Sequence, residues 1–244
     1  MQDSFHDYGA DGFTGEAFVV RPGKAGSAPA VLVAHQWAGQ SQAEHDAARW
    51  LAARGYVGIA IDAYGKGRRG EQGTPTAMEV NSALMTPLVQ DRGELRRRLL
   101  AAVDFAEQLE GVDHDHIAIM GFCFGGLCAL DVARSGTDKV RGAVSIHGLF
   151  TPPALGEQPP IKASVLICHG WEDPMAKPDD AVAVARELTE AGADWQMLAF
   201  GHAMHAFTAK GVNMPDAGLQ YNEKAERRTW SAIERFLQEI FAEV

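Results

Sequence analysis

The chain has 244 residues, of which 46% are hydrophobic, and carries a formal net charge of −10. This length fits a single α/β domain spanning residues 1–244, with enough apolar side chains for a sizeable core. The acidic balance excludes a typical nucleic-acid partner, whose phosphates demand a basic surface, and no apolar run is long enough to cross a membrane.

Residues 1–7 lack the basic and apolar regions of a signal peptide. The cysteines Cys123, Cys128 and Cys168 are odd in number, which fits a reducing compartment better than a disulfide scaffold. The expectation is a cytoplasmic protein, and either a monomer or a homodimer accommodates this sequence.

In chain order, residues 16–20 alternate weakly and read as an edge strand, followed by a turn region over 21–29. Residues 30–34 are a continuous apolar run, as expected of a strand buried on both faces, ending in His35-Gln36-Trp37. Ser41 and Glu44 suit a capping box opening a helix that runs to about Arg54. Residues 57–61 form the next strand, 62–76 a loop rich in glycine and charge, and 76–89 an irregular segment or short helix covering the site. Residues 91–110 read as an amphipathic helix, with Leu95, Leu99, Ala102, Val103, Ala106 and Leu109 at helical spacing. Arg96, Arg97 and Arg98 fall on its solvated face. Further strands are expected over 117–120, 140–146, 164–168 and 195–200, and helices over 127–134, 177–191 and 219–244. The connection 149–162 is Pro-rich and too short for a lid domain, so substrates should be small to medium. Alternating strands and helices predict a mainly parallel sheet with helices on both faces and no separate lid domain. In such sheets the ligand lies beyond the carboxyl ends of the strands.

Gly121-Phe122-Cys123-Phe124-Gly125 stands between a strand and a helix. This is the nucleophile-elbow pattern of the α/β-hydrolase fold, with a thiol where serine is usual. The turn strains the nucleophile's backbone and presses strand against helix, so a Cβ at either flanking glycine would clash. A thiol at a helix start is favoured as the thiolate, whereas Cys128 and Cys168, inside a helix and a strand, read as small buried hydrophobes. An activated thiol needs a base and an acid to orient it, expected downstream in the order acid, histidine. Asp173, with Glu172 as rival, and His205, with His202 as rival, occupy those places; spacing alone does not separate the two histidines. The oxyanion donors are expected to be the backbone N–H groups of Phe124 and, from the loop after the first buried strand, Trp37. Gln36, His35, His202 and Phe207 are candidate neighbours of the thiol or pocket. His147 and His169 also end strands, but no carboxylate cluster accompanies these histidines and no metal site is expected.

Gly-Phe-Cys-Phe-Gly-Gly at 121–126, His-Gly-x-x-Asp at 169–173 and His-Ala-Phe at 205–207 together resemble the dienelactone hydrolase family, over roughly residue 16 to the C-terminus. The resemblance selects His205 over His202. It implies a cofactor-free hydrolase with a Cys123–His205–Asp173 triad acting on small-molecule esters or lactones through an acyl-thioester. Two positions depart from the family pattern. Gln36 stands where a glutamate is frequent; it can hydrogen-bond but accepts no proton, which leaves thiol activation to His205. Ala209 stands where dienelactone-cleaving members carry an arginine for the substrate carboxylate, which points to a neutral, more apolar substrate. Thioesters and activated phosphotriesters are alternatives for the same nucleophile. A reading of another class is a non-enzymatic ligand-binding or thiol-sensing protein on this scaffold.

Overall fold

Period-two alternation along the central strands sorts the core into two layers, because successive side chains leave a strand on opposite faces. The structure, a computed structural model, describes residues 1–23 and 26–242. Parts of the expected turn region 21–29 and terminal helix 219–244 therefore lie outside the described residues. The strands β1 (Gln2–Ala10), β2 (Phe13–Arg21), β3 (Ala28–Ala34), β4 (Val57–Ile61), β5 (Val112–Phe122), β6 (Gly142–Ile146), β7 (Ser164–Gly170) and β8 (Trp195–Phe200) form one sheet in the order β1-β2-β4-β3-β5-β6-β7-β8. From β4 to β8 all neighbours are parallel, while β2 pairs antiparallel with both β1 and β4.

The helices are α1 (Gln42–Ala52), α2 (Ala77–Gln90), α3 (Arg92–Gln108), α4 (Phe124–Arg134), α5 (Pro178–Glu190) and α6 (Glu223–Ile240). Val31, Val33, Met120, Val144 and Leu166 pack on one face of the sheet with Leu51 of α1 and Ile233 and Leu237 of α6. Leu32, Ile119, Ala143, Val165 and Ile167 pack on the other with residues of α3, α4 and α5. Each fully buried aliphatic side chain contributes about 1.5–3 kcal/mol. The expected capping box is present: the Ser41 side chain accepts from Ala43 N, and the Ser41 N–H donates to Glu44 Oε2 at 2.8 Å. Asp91 caps α3 by accepting from Glu94 N, and Asn222 caps α6 by accepting from Ala225 N.

Two expectations need correction. The strand over residues 16–20 is not the edge, because β1 pairs outside it through a tight Asp11–Gly12 turn that sets Ala10 opposite Phe13. The solvated face read for Arg96, Arg97 and Arg98 holds only in part. Arg98 donates to the carbonyls of Ala63 and Tyr64 at 2.9 and 3.3 Å, and Arg96 Nε is buried without a partner. The ambiguous segment 76–89 is helical: α2 docks through fully buried Asn81, which donates to Glu71 O and accepts from Glu71 N. β3 is flanked by β4 and β5, so successive connections leave it in opposite directions. In open parallel sheets ligands bind at such a switch, beyond the carboxyl ends of the strands, and Cys123 directly follows β5 at that end.

Candidate active site

Cys123 sits between β5 and α4 with φ 56° and ψ −117°, a backbone conformation rare for any residue with a Cβ. The turn is held shut by contact. A Cβ at Gly121 would overlap the Gly125 backbone, and one at Gly125 would overlap the Ala34 carbonyl of β3. Cys123 O accepts from Gly126 N (3.0 Å) and Leu127 N (3.3 Å), which starts α4 and leaves the N–H groups of Phe124 and Gly125 without intrahelical acceptors. The Cys123 N–H donates to Ile146 O at 3.0 Å and approaches His147 Nδ1 at 3.2 Å. His147 Nδ1 therefore accepts, and its Nε2 donates to Thr208 Oγ1 at 2.8 Å. Burial and the neighbouring His205 push the His147 pKa well down, so the ring is neutral.

His205 lies in the loop after β8. Its N–H donates to Gly218 O and its carbonyl accepts from Gln220 N, at 3.0 and 3.1 Å. Gly218 (φ +73°) packs against Pro174 so closely that a Cβ there would overlap the proline ring, which pins this segment to the turn carrying Asp173. His205 Nδ1 and Asp173 Oδ2 are 2.7 Å apart, with 2% and 0% side-chain exposure. Asp173 Oδ1 accepts from Met175 N at 2.8 Å, which fixes the carboxylate plane. His205 Nε2 has no conventional hydrogen-bond partner and lies against Cys123. Burial alone would lower the His205 pKa, but the Cys123 thiolate and then Asp173 outweigh it and raise the value to about 10.

The histidines and carboxylates that spacing leaves open stand in different surroundings. His202 points outward, 94% exposed, and pairs with Glu172 at 2.9 Å. Cys123, His205 and Asp173 converge. The other candidates disperse. Gln36 is half-buried, and its N–H and Nε2 donate weakly to Glu44 Oε1 at 3.4 and 3.5 Å. His35 is buried with both ring nitrogens engaged, so it lies behind the cleft rather than in it. Phe207 is fully buried among core residues on the α6 face, 5.5 Å from the ring of Phe200, and does not line a pocket. Phe124 is also fully buried, and its backbone N–H stands at the start of α4. Trp37 is half-buried in the loop after β3. The His169 ring lies 5.2 Å from that of Phe150, tilted by 56°, with its nitrogens unpaired. Among the described residues no group of three His, Cys, Asp or Glu is placed to hold a metal.

A cavity of about 410 Å³ between α5 and the 149–162 connection is lined by Arg96, Phe150, Leu155, Met175 and Glu187 among others. Cys123, Asp173 and His205 do not line it. It is a neighbour of the site, since Met175 also supplies the N–H that holds Asp173. Sequence reasoning missed two residues here. Tyr64 donates from Oη to Trp37 O at 2.8 Å, and Gly218 braces the His205 loop. Only the Asp62-x-Tyr64-Gly65 turn after a buried strand hinted at the first.

A mostly parallel sheet, a strained thiol at a strand–helix turn and a buried histidine–aspartate pair at neighbouring strand ends define an α/β-hydrolase. The chain belongs to the dienelactone hydrolase family, whose family model matches residues 16–241, and it is accordingly an enzyme that hydrolyses ester or lactone bonds. That removes the non-enzymatic reading. A solved structure named m3DLH is 32% identical, with a TM-score of 0.89 and 99% of each chain covered. A dienelactone hydrolase-like promiscuous phosphotriesterase from metagenomic libraries is 31% identical, with a TM-score of 0.87 and 99% of each chain covered. A probable 2-oxo-3-(5-oxofuran-2-ylidene)propanoate lactonase of Bradyrhizobium sp is 28% identical over 82% of each chain. No helix among the described residues is long and apolar enough to cross a membrane.

Proposed function

We propose that this single-domain enzyme is a cofactor-free hydrolase of neutral carboxylic esters or lactones, with Cys123 as nucleophile, His205 as base and Asp173 as its orienting acid. The observation that carries the reading is the buried 2.7 Å His205–Asp173 pair, which leaves His205 Nε2 facing the Cys123 thiol. His205 takes the thiol proton as Sγ attacks the acyl carbon. The oxyanion that forms is met by the N–H groups of Phe124 and Trp37. Collapse expels the alcohol, which receives the proton from His205 Nε2, and leaves an acyl-thioester on Cys123. Water, deprotonated by His205, then cleaves the thioester and regenerates the thiol. Asp173 holds Nδ1 protonated throughout, so Nε2 is always the nitrogen that exchanges protons.

Ala209 puts no cation four residues after His205, and Gln36 puts no carboxylate beside the thiol. The first favours an uncharged substrate, and the second leaves activation of the thiol to His205. The similarity to a promiscuous phosphotriesterase supports a second reading, in which the same thiolate attacks the phosphorus of an activated phosphotriester. The test is a panel of neutral esters, lactones, thioesters and phosphotriesters run on wild type and Cys123→Ala, with intact mass spectrometry for the adduct. An acyl mass on Cys123 and loss of all turnover in Cys123→Ala are expected; activity retained by that variant would remove the nucleophile from the mechanism.

A further inference from the structure

The loop after β3 is held by hydrogen bonds on both sides of the peptide that carries the Trp37 N–H. Ala63 N–H donates to His35 Nε2 at 3.0 Å. Nε2 is therefore the unprotonated nitrogen, and Nδ1 carries the hydrogen that it gives to Gln36 O at 2.6 Å. Gly39 N–H reaches the same carbonyl at 3.1 Å. No peptide bond among the described residues is cis, so the N–H of Trp37 points opposite to the Gln36 C=O. The next peptide is held as well: Tyr64 Oη donates to Trp37 O at 2.8 Å. Tyr64 is anchored by Asp62 Oδ1, which accepts from Tyr64 N at 2.9 Å and Gly65 N at 3.1 Å. The rings of His35 and Tyr64 lie 4.4 Å apart, and each is 5.8 Å from Phe124, whose N–H is the other proposed oxyanion donor.

We propose that His35 is a positioning residue of the oxyanion hole, which aims and polarises the Trp37 N–H through the Gln36 carbonyl, with Tyr64 bracing the adjoining peptide. The inference rests on Trp37 N–H being an oxyanion donor, as in the proposed function. Its physical basis is twofold. A carbonyl that accepts a strong hydrogen bond makes the N–H on the same peptide a better donor, because hydrogen bonds in a chain polarise one another. A donor already aimed at the developing charge needs no reorganisation during the reaction. Burial lowers the His35 pKa, which keeps the ring neutral and preserves its acceptor toward Ala63. The strain at Cys123 and the bracing at Trp37 then serve one purpose, holding nucleophile and oxyanion donors fixed around a single acyl carbon.

The test compares two reactions of the same thiol. Hydrolysis of an activated aryl ester builds an oxyanion; alkylation of Cys123 by iodoacetamide, followed by peptide mass spectrometry, does not. In His35→Leu the aryl-ester kcat should fall about 10–100-fold, while KM and the alkylation rate stay within about twofold of wild type. His35→Asn places a side-chain N–H near the position of Nδ1, and should recover kcat to within about fivefold of wild type. Tyr64→Phe should lower kcat about 3–10-fold, again without slowing alkylation. Should His35→Leu fail to fold, His35→Gln carries the test, since its amide can accept from Ala63 N–H while its longer arm misses the Gln36 carbonyl. Unchanged kcat without the donor, an equal loss in both reactions, or no recovery in His35→Asn would overturn the inference. Cys123→Ala run alongside separates the readings. Aryl-ester turnover retained by it removes the cysteine mechanism and this inference together, whereas Cys123-dependent turnover indifferent to His35 removes this inference alone.

Discussion

Two histidine–carboxylate pairs stand at the ends of β7 and β8, built from residues that are neighbours in sequence. His202 meets Glu172 at 2.9 Å with 94% and 44% of the side chains exposed; His205 meets Asp173 at 2.7 Å with 2% and 0% exposed. The chemistry of the partners is nearly the same and the distances differ little. What differs is the medium. Around the first pair, water and salt screen the attraction and solvate each partner separately, so such pairs are worth little. Around the second, there is no solvent to compete, the geometry is fixed by the Met175 N–H and by the Gly218–Gln220 segment, and the imidazole's remaining nitrogen has only Cys123 to face. A histidine becomes a candidate base here through what surrounds it rather than through what it touches.

The comparison breaks most decisively at the base itself. His205→Ala should reduce kcat/KM for an activated ester about ten-thousandfold, whereas His202→Ala should change it by no more than about twofold. Comparable losses in the two would mean that burial does not distinguish them. Next in size is the acid: Asp173→Asn should cost about a thousandfold, because Nδ1 loses the acceptor that fixes its proton, and Glu172→Gln should again cost about twofold or less. Steady-state kinetics on the four single variants measure all of this at once.

A pH-dependent effect sharpens the same contrast. The His205 pKa is raised from 6.5 to about 10, chiefly by the charge on Cys123, so the folded protein keeps on His205 a proton that the unfolded chain carries on the thiol and, at higher pH, releases. The corresponding stability is lost as pH climbs through about 10. Denaturant midpoints measured from pH 6 to 10 should fall more steeply for wild type than for Cys123→Ala, which removes the thiolate that does most to raise this pKa. Equal slopes would place the raise elsewhere. The smallest effect concerns the exposed pair: the double variant His202→Ala/Glu172→Gln should keep its melting temperature within about 2 °C of wild type.

Most of the sheet was legible because each central strand is a locally encoded apolar run, and each helix that follows carries its own cap or apolar stripe. The first strand was not legible in this way. β1 is an edge, most of its residues are at least partly exposed, and its pattern carries little hydrophobic signal. The Asp11–Gly12 pair was the available clue, since that dipeptide favours a two-residue hairpin. The helix over 77–90 was obscured by Pro87 in its last turn, a residue that ordinarily argues against helix. At the site, the elbow could be read because its two glycines are dictated by contacts within the turn and with the strand beside it. Phe207, a candidate pocket neighbour, belongs to the core, and His35, a candidate thiol neighbour, lies behind the loop after β3. An aromatic or histidine at a strand end carries no mark of which way it turns.

The linear order Cys123, Asp173, His205 and the glycine-flanked thiol are local facts, set by short-range sterics and by chain order, and they already point to a hydrolase with a cysteine at its centre. Which of two histidines is buried, which carboxylate faces it, and which ring nitrogen of His35 is left to donate depend on segments far apart in sequence meeting at the strand ends. Gly218 lies 44 positions beyond Pro174, and Ala63 lies 28 beyond His35, yet each pair is in contact. Exclusion of water is a property of the packed whole, and it is what separates His205 from its neighbour.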